Sequence, residues 1–153
     1  MLEHPVAIVW ACALGVTAYA AAGQGVVVPR LACPDCRRPL WRWGGYWRWL
    51  RGPGEGERRL WVRRGRCRVC RRSHALLPDF VLVGRLDRVE VIGRGLILAA
   101  SGVGARRVAA QIGVPFTTVR SWWRRFRARA PTLVAAFVAF AVSVDGTPVD
   151  AVS

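Results

Sequence analysis

Apolar and polar positions divide the chain into stretches with different periods. Residues 6–23, VAIVWACALGVTAYAAAG, are almost continuously apolar. Residues 39–50 (PLWRWGGYWRWL) and 58–64 (RRLWVRR) instead alternate aromatic or aliphatic side chains with arginine, with Gly44-Gly45 as a break. A period of two predicts strands, and the RGPGEGE cluster at 51–57 supplies a turn between them. Further on the period becomes helical. Val89, Ile92, Leu96 and Ala99 mark one helix, stopped at Ser101-Gly102; Val108, Ala109 and Ile112 mark a short second one. Val119, Trp122 and Trp123 or Phe126 mark a third. Residues 132–144, TLVAAFVAFAVSV, are apolar all round and need a partner surface.

The fold class expected from this pattern is α+β: a small ribbon of β-hairpins, a three-helix unit and an apolar C-terminal helix. The boundaries read as 1–30 for an N-terminal strand and helix segment packing on the rest, 31–76 for the ribbon, 77–131 for the helical domain, and 132–153 for the apolar helix and a frayed tail. Within 1–30 a strand is expected near 7–10 and a helix near 13–22, ended by Gly23. The HALLPDF stretch at 74–80 reads as a turn-rich connector. Asp87, three residues before Glu90, reads as a capping box. Pro131 is expected to break the helix that precedes it.

Charge changes the picture. Of 153 residues 24 are basic and 9 acidic, a formal net charge of +15, and every basic residue is Arg. Fourteen arginines lie within 30–72 against Asp35, Glu55 and Glu57; seven lie within 105–130, which holds no acid. Arg in place of Lys follows from a GC-rich composition, but the shortage of acids does not. Two cationic blocks point to a polyanion, nucleic acid above all. A membrane is not expected as a partner: 18 apolar residues are the lower edge of a span, the start MLEHP has no Lys or Arg, and 13 residues at the C-terminal end are too few.

Cysteine spacing supplies the chemistry. Cys33-Pro-Asp-Cys36 and Cys67-Arg-Val-Cys70 stand 30 residues apart, the pattern of a closed tetrahedral four-thiolate zinc site. Two CxxC turns each aim two sulfurs at one ion. Without a thioredoxin-like βαβ context the redox alternative falls away, and paired spacing without an export signal points to a reducing compartment. Cys12 reads as a small buried hydrophobe. His74 follows Cys70 by four residues, but four thiolates close the shell, so it is read as a surface or turn residue. Trp41, Trp43, Tyr46, Trp47, Trp49 and Trp61 are expected to form most of the ribbon's small core, with one or two exposed. The alternative is a stacking platform for single strands.

Residues 105–126, ARRVAAQIGVPFTTVRSWWRRF, carry a second signal. Ala109, four residues before Gly113, permits close helix approach, and Gly113 supplies a turn with positive φ. Val114 plugs the turn, Thr117 or Thr118 can cap the next helix, and Val119 anchors it. This is the register of a DNA-reading helix-turn-helix. On that reading Phe116, Thr117, Thr118, Arg120, Ser121 and Arg124 face the groove, with Arg120 and Arg124 toward guanine edges. Arg106, Arg107, Arg125, Arg127 and Arg129 meet phosphate. The plain alternative is a helical hairpin with a solvated basic face.

The first CPxC, the RCxxCxxxHALLPxF run from Arg66 to Phe80 and the helix-turn-helix register together resemble a bacterial domain-of-unknown-function family. Its members look like the N-terminal zinc-ribbon and helix-turn-helix parts of insertion-sequence transposases. The resemblance spans about residues 5–145. It implies zinc-dependent DNA binding, ligand roles for Cys33, Cys36, Cys67 and Cys70, and an N-terminal segment that belongs to the soluble domain. Arg37 departs from the pattern, since ribbons often place Gly after the second cysteine.

The expected function is therefore a non-catalytic, cytoplasmic, nucleoid-associated protein that binds double-stranded DNA, either a regulator or a transposase-related recognition module. Its expected protein partner is a second copy or a transposase catalytic subunit. The nine acids are scattered, with no sheet to converge them on the two metals that strand transfer requires. Alternatives are an RNA- or single-strand-binding ribbon and a membrane-tethered basic protein.

Overall fold

The computed structural model describes residues 7–52 and 56–145. The chain divides into two compact units, Met1–Arg94 and Gly95–Ser153, each taken by itself below. Parts of the expected 51–57 turn and all of the 146–153 tail lie outside the described residues.

The first unit holds a four-stranded sheet in the order β1-β4-β3-β2: β1 is Ile8–Trp10, β2 Leu40–Gly52, β3 Gly56–Cys67 and β4 Ser73–Pro78. The long β2 and β3 pair antiparallel from Leu40↔Cys67 to Gly52↔Gly56. The register slips between Arg42 and Gly45, where Arg42 faces Gly65 and Gly45 faces Arg63. Two residues, Trp43 and Gly44, thus oppose Arg64 alone, the count of a β-bulge. Gly44 takes φ +75° there, a value L side chains rarely adopt. At Gly45 the need is spatial: an added Cβ would stand 2.5 Å from the Val62 carbonyl oxygen.

The HALLP run, expected as a connector, is strand β4. It returns antiparallel along β3 and pairs parallel with β1, Ile8 facing Leu76. With five apolar or polar letters in no clear period, the run gave no local sign of this; pairing on both sides builds the strand. Between β1 and β2, helix α1 (Val16–Ala22) ends at Gly23 with φ +50°. Tyr19 on α1 is fully buried, donates its hydroxyl to the Trp61 carbonyl at 3.0 Å, and meets Phe80 edge-on. Burial pushes that phenol up to about 12.

The core gathers Trp10, Tyr19, Val26, Leu50, Leu60, Val62, Leu76, Leu77, Phe80 and Val81. Each such aliphatic side chain contributes about 1.5–3 kcal/mol on burial. The expected tryptophan core is not what forms. Trp41, Trp43, Tyr46, Trp47 and Trp49 are all exposed, and Trp61 is half-buried. Leucine and valine, with Trp10, Tyr19 and Phe80 from outside the hairpin, fill the interior instead, while several indoles lie under guanidinium groups. Cys12 is half-buried against the core. Asp87 is buried, and its carboxylate takes Arg51 at 3.3 Å rather than standing at a helix N-cap.

Helix α2 (Val89–Ala100) crosses the boundary between the units; α3 (Ala105–Ile112) and α4 (Phe116–Asp145) complete the second. Val108, Ala109 and Ile112 of α3 and Val119 and Trp122 of α4 are buried. Gly113 closes α3 in the left-handed conformation at φ 76°. A Cβ at Gly95 would stand 3.1 Å from the Trp122 indole and 3.3 Å from Ile112, so the missing side chain admits both. Thr117 and Thr118 do not cap α4. The helix starts at Phe116, and the Thr118 amide donates to the Pro115 carbonyl at 2.9 Å.

Pro131 does not end α4 either: the helix runs through it for 30 residues. Proline removes its own N–H and crowds the preceding turn at a cost of about 3 kcal/mol. Ala128, Arg129 and Ala130 before it and Leu133, Ala135 and Ala136 after it are strong helix formers that favour the remaining ladder. Residues 131–144 are exposed throughout. Among the described residues one helix, Phe116–Val144, is long and apolar enough to cross a membrane by length and composition, with mean hydropathy 1.4 over its most apolar window.

Candidate metal centre and arginine surfaces

The two CxxC turns are copies of one local device. Before β2, the Cys33 amide donates to the Arg38 carbonyl at 2.8 Å; after β3, the Cys67 amide donates to the Arg72 carbonyl at 2.9 Å. In each, the residue after the second cysteine is left-handed: Arg37 at φ 61° and Arg71 at φ 59°. An L-residue held there costs about 1 kcal/mol. Both turns are therefore held by their surroundings, and pairing of Leu40 with Cys67 brings them to one end of the hairpin.

All four sulfurs lie within 4.8 Å of one another. Cys36 and Cys67 are 3.3 Å apart and Cys33 and Cys70 3.6 Å, too long for a disulfide at about 2.05 Å. A tetrahedral thiolate cage with metal–sulfur bonds of about 2.3 Å has edges of about 3.8 Å. The donor set therefore fits a metal ion. The crowding of the sulfurs splits their acidities. N–H donation from Cys70, with further help from Cys36 and Val69, pulls the Cys67 thiol down to about 7. Against the N–H of Arg72, desolvation and the neighbouring Cys33 and Cys67 sulfurs push Cys70 up to about 11. Four thiolates crowd one another until a cation joins them.

His74 is not on the surface. It sits on β4 opposite Gly65, is 1% exposed, and places Nε2 3.6 Å from the Cys33 sulfur. The three residues after Cys70 turn the chain back, so the fourth lands beside the cage. At that place the imidazole ring and the sulfur can share a hydrogen bond, which fixes the position of Cys33. Asp35 lies 3.9 Å from the same sulfur and pairs with Arg72 at 3.2 Å, tying one turn to the other. The His74 contact was legible only as the four-residue spacing from Cys70.

In the second unit, Arg106 and Arg120 each place a guanidinium 5.6 Å from the Phe116 ring. Phe116 is half-buried and marks where α3 and α4 bring these two arginines together. Along α4, Thr117, Arg120, Ser121, Arg124 and Arg127 follow helical spacing away from buried Val119 and Trp122. Arg107, Arg124, Arg125, Arg127 and Arg129 are exposed; Thr118 and Ser121 are half-buried. Arg127 lies 6.0 Å from the Trp123 ring.

Residues 33–111 match the model of a family described as a domain of unknown function, DUF6431. The match opens on the first candidate ligand, contains all four cysteines and His74, and stops within α3 before Ile112. No curated protein and no solved structure matches the chain. With more than half of its length matched, the chain belongs to the DUF6431 family, a domain of unknown function.

Proposed function

We propose that this is a non-catalytic protein whose first unit is stabilised by zinc and whose second unit binds duplex DNA by a helix-turn-helix formed from α3 and α4. Zinc is the ion that four closely held thiolates favour in a closed site. The observation that carries the DNA reading is the convergence of Arg106 and Arg120 on Phe116, at the N-terminal end of a helix whose first half holds five arginines and no acid. Such an end enters the major groove first. Arg120 and Arg124 read base edges, while Arg106, Arg107, Arg125, Arg127 and Arg129 hold phosphate.

The role is that of a regulator or a transposase-like recognition module in the nucleoid. The exposed apolar half of α4 is where a second copy or a catalytic subunit docks. Gel shift against selected and scrambled duplexes at stated salt tests the reading. Arg120→Ala relaxes sequence preference; Arg125→Ala weakens all sequences alike and lowers the salt slope by about one. Unchanged duplex binding in both variants refutes the recognition-helix assignment.

A further inference from the structure

The bulge at Trp43-Gly44 does more than bend β2. Residues directly opposed in a sheet share a face, and successive residues alternate. Trp41 faces Arg66, whereas Trp47 faces Trp61 and Trp49 faces Arg59. On β3 residue 66 is even-numbered and 59 and 61 are odd, so the extra residue sends Trp41 to the opposite side from Trp47 and Trp49. The indoles of β2 therefore form two sets rather than one row.

The first set opens onto a cleft of about 420 Å³ beside the metal centre. Trp41 and Trp43 line it together with Arg42, Arg66, Arg68 and Arg71, and among the described residues no acid lines it. The Arg68 guanidinium lies 3.3 Å from the Trp41 ring centroid and that of Arg66 4.4 Å from Trp43. Each guanidinium covers one face of its indole and steadies it. Trp41 is still 52% exposed and Trp43 53%, so ring surface stays open. Arg66 is held in turn by donating Nε to the Arg71 carbonyl at 3.2 Å, and the Arg71 backbone belongs to the second CxxC turn. The second CxxC turn thus anchors one wall of the cleft.

The geometry points to a second binding site, for an unpaired segment of nucleic acid. Flat apolar rings with open faces take unpaired bases, whose faces are hidden in a duplex. The Arg66 and Arg68 guanidinium groups beside the indoles take the phosphodiesters that accompany those bases. Positions two apart on a strand lie about 6.7 Å from each other, which leaves each indole its own base. This site belongs to the first unit and does not rest on duplex binding by α3 and α4.

The test uses the full metal-loaded chain and fluorescence anisotropy at fixed salt. The probes are a labelled oligothymidylate of about 12 nucleotides, an oligouridylate, an abasic strand of equal length and charge, and a duplex. The wild-type protein is expected to bind oligothymidylate about tenfold or more tightly than the abasic strand. The double variant Trp41→Leu/Trp43→Leu loses that advantage while keeping metal content and duplex affinity. Arg68→Gln weakens both single strands. Oligouridylate reports whether ribose is accepted, and Arg120→Ala leaves all single-strand affinities unchanged. Equal affinity for thymidylate and abasic strands would overturn the site in favour of a general polyanion surface, and this comparison needs no variant. Full thymidylate affinity in the double variant also overturns it. So does an indole-dependent affinity for phosphatidylglycerol vesicles with none for oligomers.

Discussion

Gly44 and Gly45 are adjacent, yet they are glycine for different reasons, and alanine at each position separates them. At Gly45 a Cβ would meet the Val62 carbonyl oxygen at 2.5 Å and the Trp61 indole at 2.7 Å. The first obstacle is backbone in the middle of the hairpin, so the strands must part. Overpacking of this kind costs about 1–3 kcal/mol, less about 0.5 kcal/mol regained because alanine restricts the unfolded chain. At Gly44 nothing lies within 4 Å, but φ is +75°; alanine there costs about 1 kcal/mol of backbone strain. Gly45→Ala is thus expected to cost about 2 kcal/mol and Gly44→Ala about 1 kcal/mol. For a unit of this size each kcal/mol moves the melting temperature by about 4–8 °C. The measurement is urea and thermal denaturation of metal-loaded protein at one fixed free-metal concentration, since bound metal adds to apparent stability. Gly44→Asn should recover part of the loss, because Asn tolerates the left-handed region, whereas no residue with a Cβ recovers it at position 45. If Gly44→Ala proves the costlier variant, or Gly45→Ala is neutral, the bulge is not built as described and the division of the indoles between two faces fails with it.

Further outcomes follow from the same geometry. Chelating the metal is expected to unfold residues 31–72 first, followed by far-UV and near-UV circular dichroism, while helical signal from 87–130 persists; a single cooperative loss would refute their independence. Tyr19→Phe should cost about 1 kcal/mol, because the hydrogen bond to the Trp61 carbonyl is lost, with metal stoichiometry unchanged. The Tyr19 phenol, raised to about 12 from 10, supports the fold fully below pH 10, and that contribution is lost as pH rises toward 12. The phenylalanine variant should lack that alkaline component in a pH-dependent stability series. Pro131→Ala should raise helix content and stabilise α4 by up to about 3 kcal/mol, read by thermal melts of the 222 nm signal; no gain would mean that α4 is already interrupted there.

What could be read in the residues was local. The CxxC turns, the alternation of β2 and β3, and the Val108, Ala109, Ile112 and Gly113 register each depend on a few neighbouring residues, and each has its place in the fold. What escaped depends on partners distant in sequence. His74 looks like a polar turn residue until β4 pairs with β3 and carries it inside. The tryptophans look like core because their apolar area is large, but arginines at alternate positions give them cover that needs no interior. Leu50, Leu60 and Val62 are modest letters beside six aromatics, yet they belong to the buried cluster that holds Tyr19, Phe80 and Val81. Pro131 is a strong breaker on paper, and one missing hydrogen bond proves insufficient to stop a long helix.

The continuity of α4 has a mechanical consequence. At about 1.5 Å per residue, Phe137 stands about 26 Å along the axis from Arg120. Any body that seizes the apolar half therefore carries the arginine half at the end of a stalk, at a set reach and with a set azimuth. Pro131, which lacks one N–H of the ladder, lies at the junction of the charged and apolar halves. Because the helix runs on through position 131, the arginine half and the apolar half share one axis and turn together.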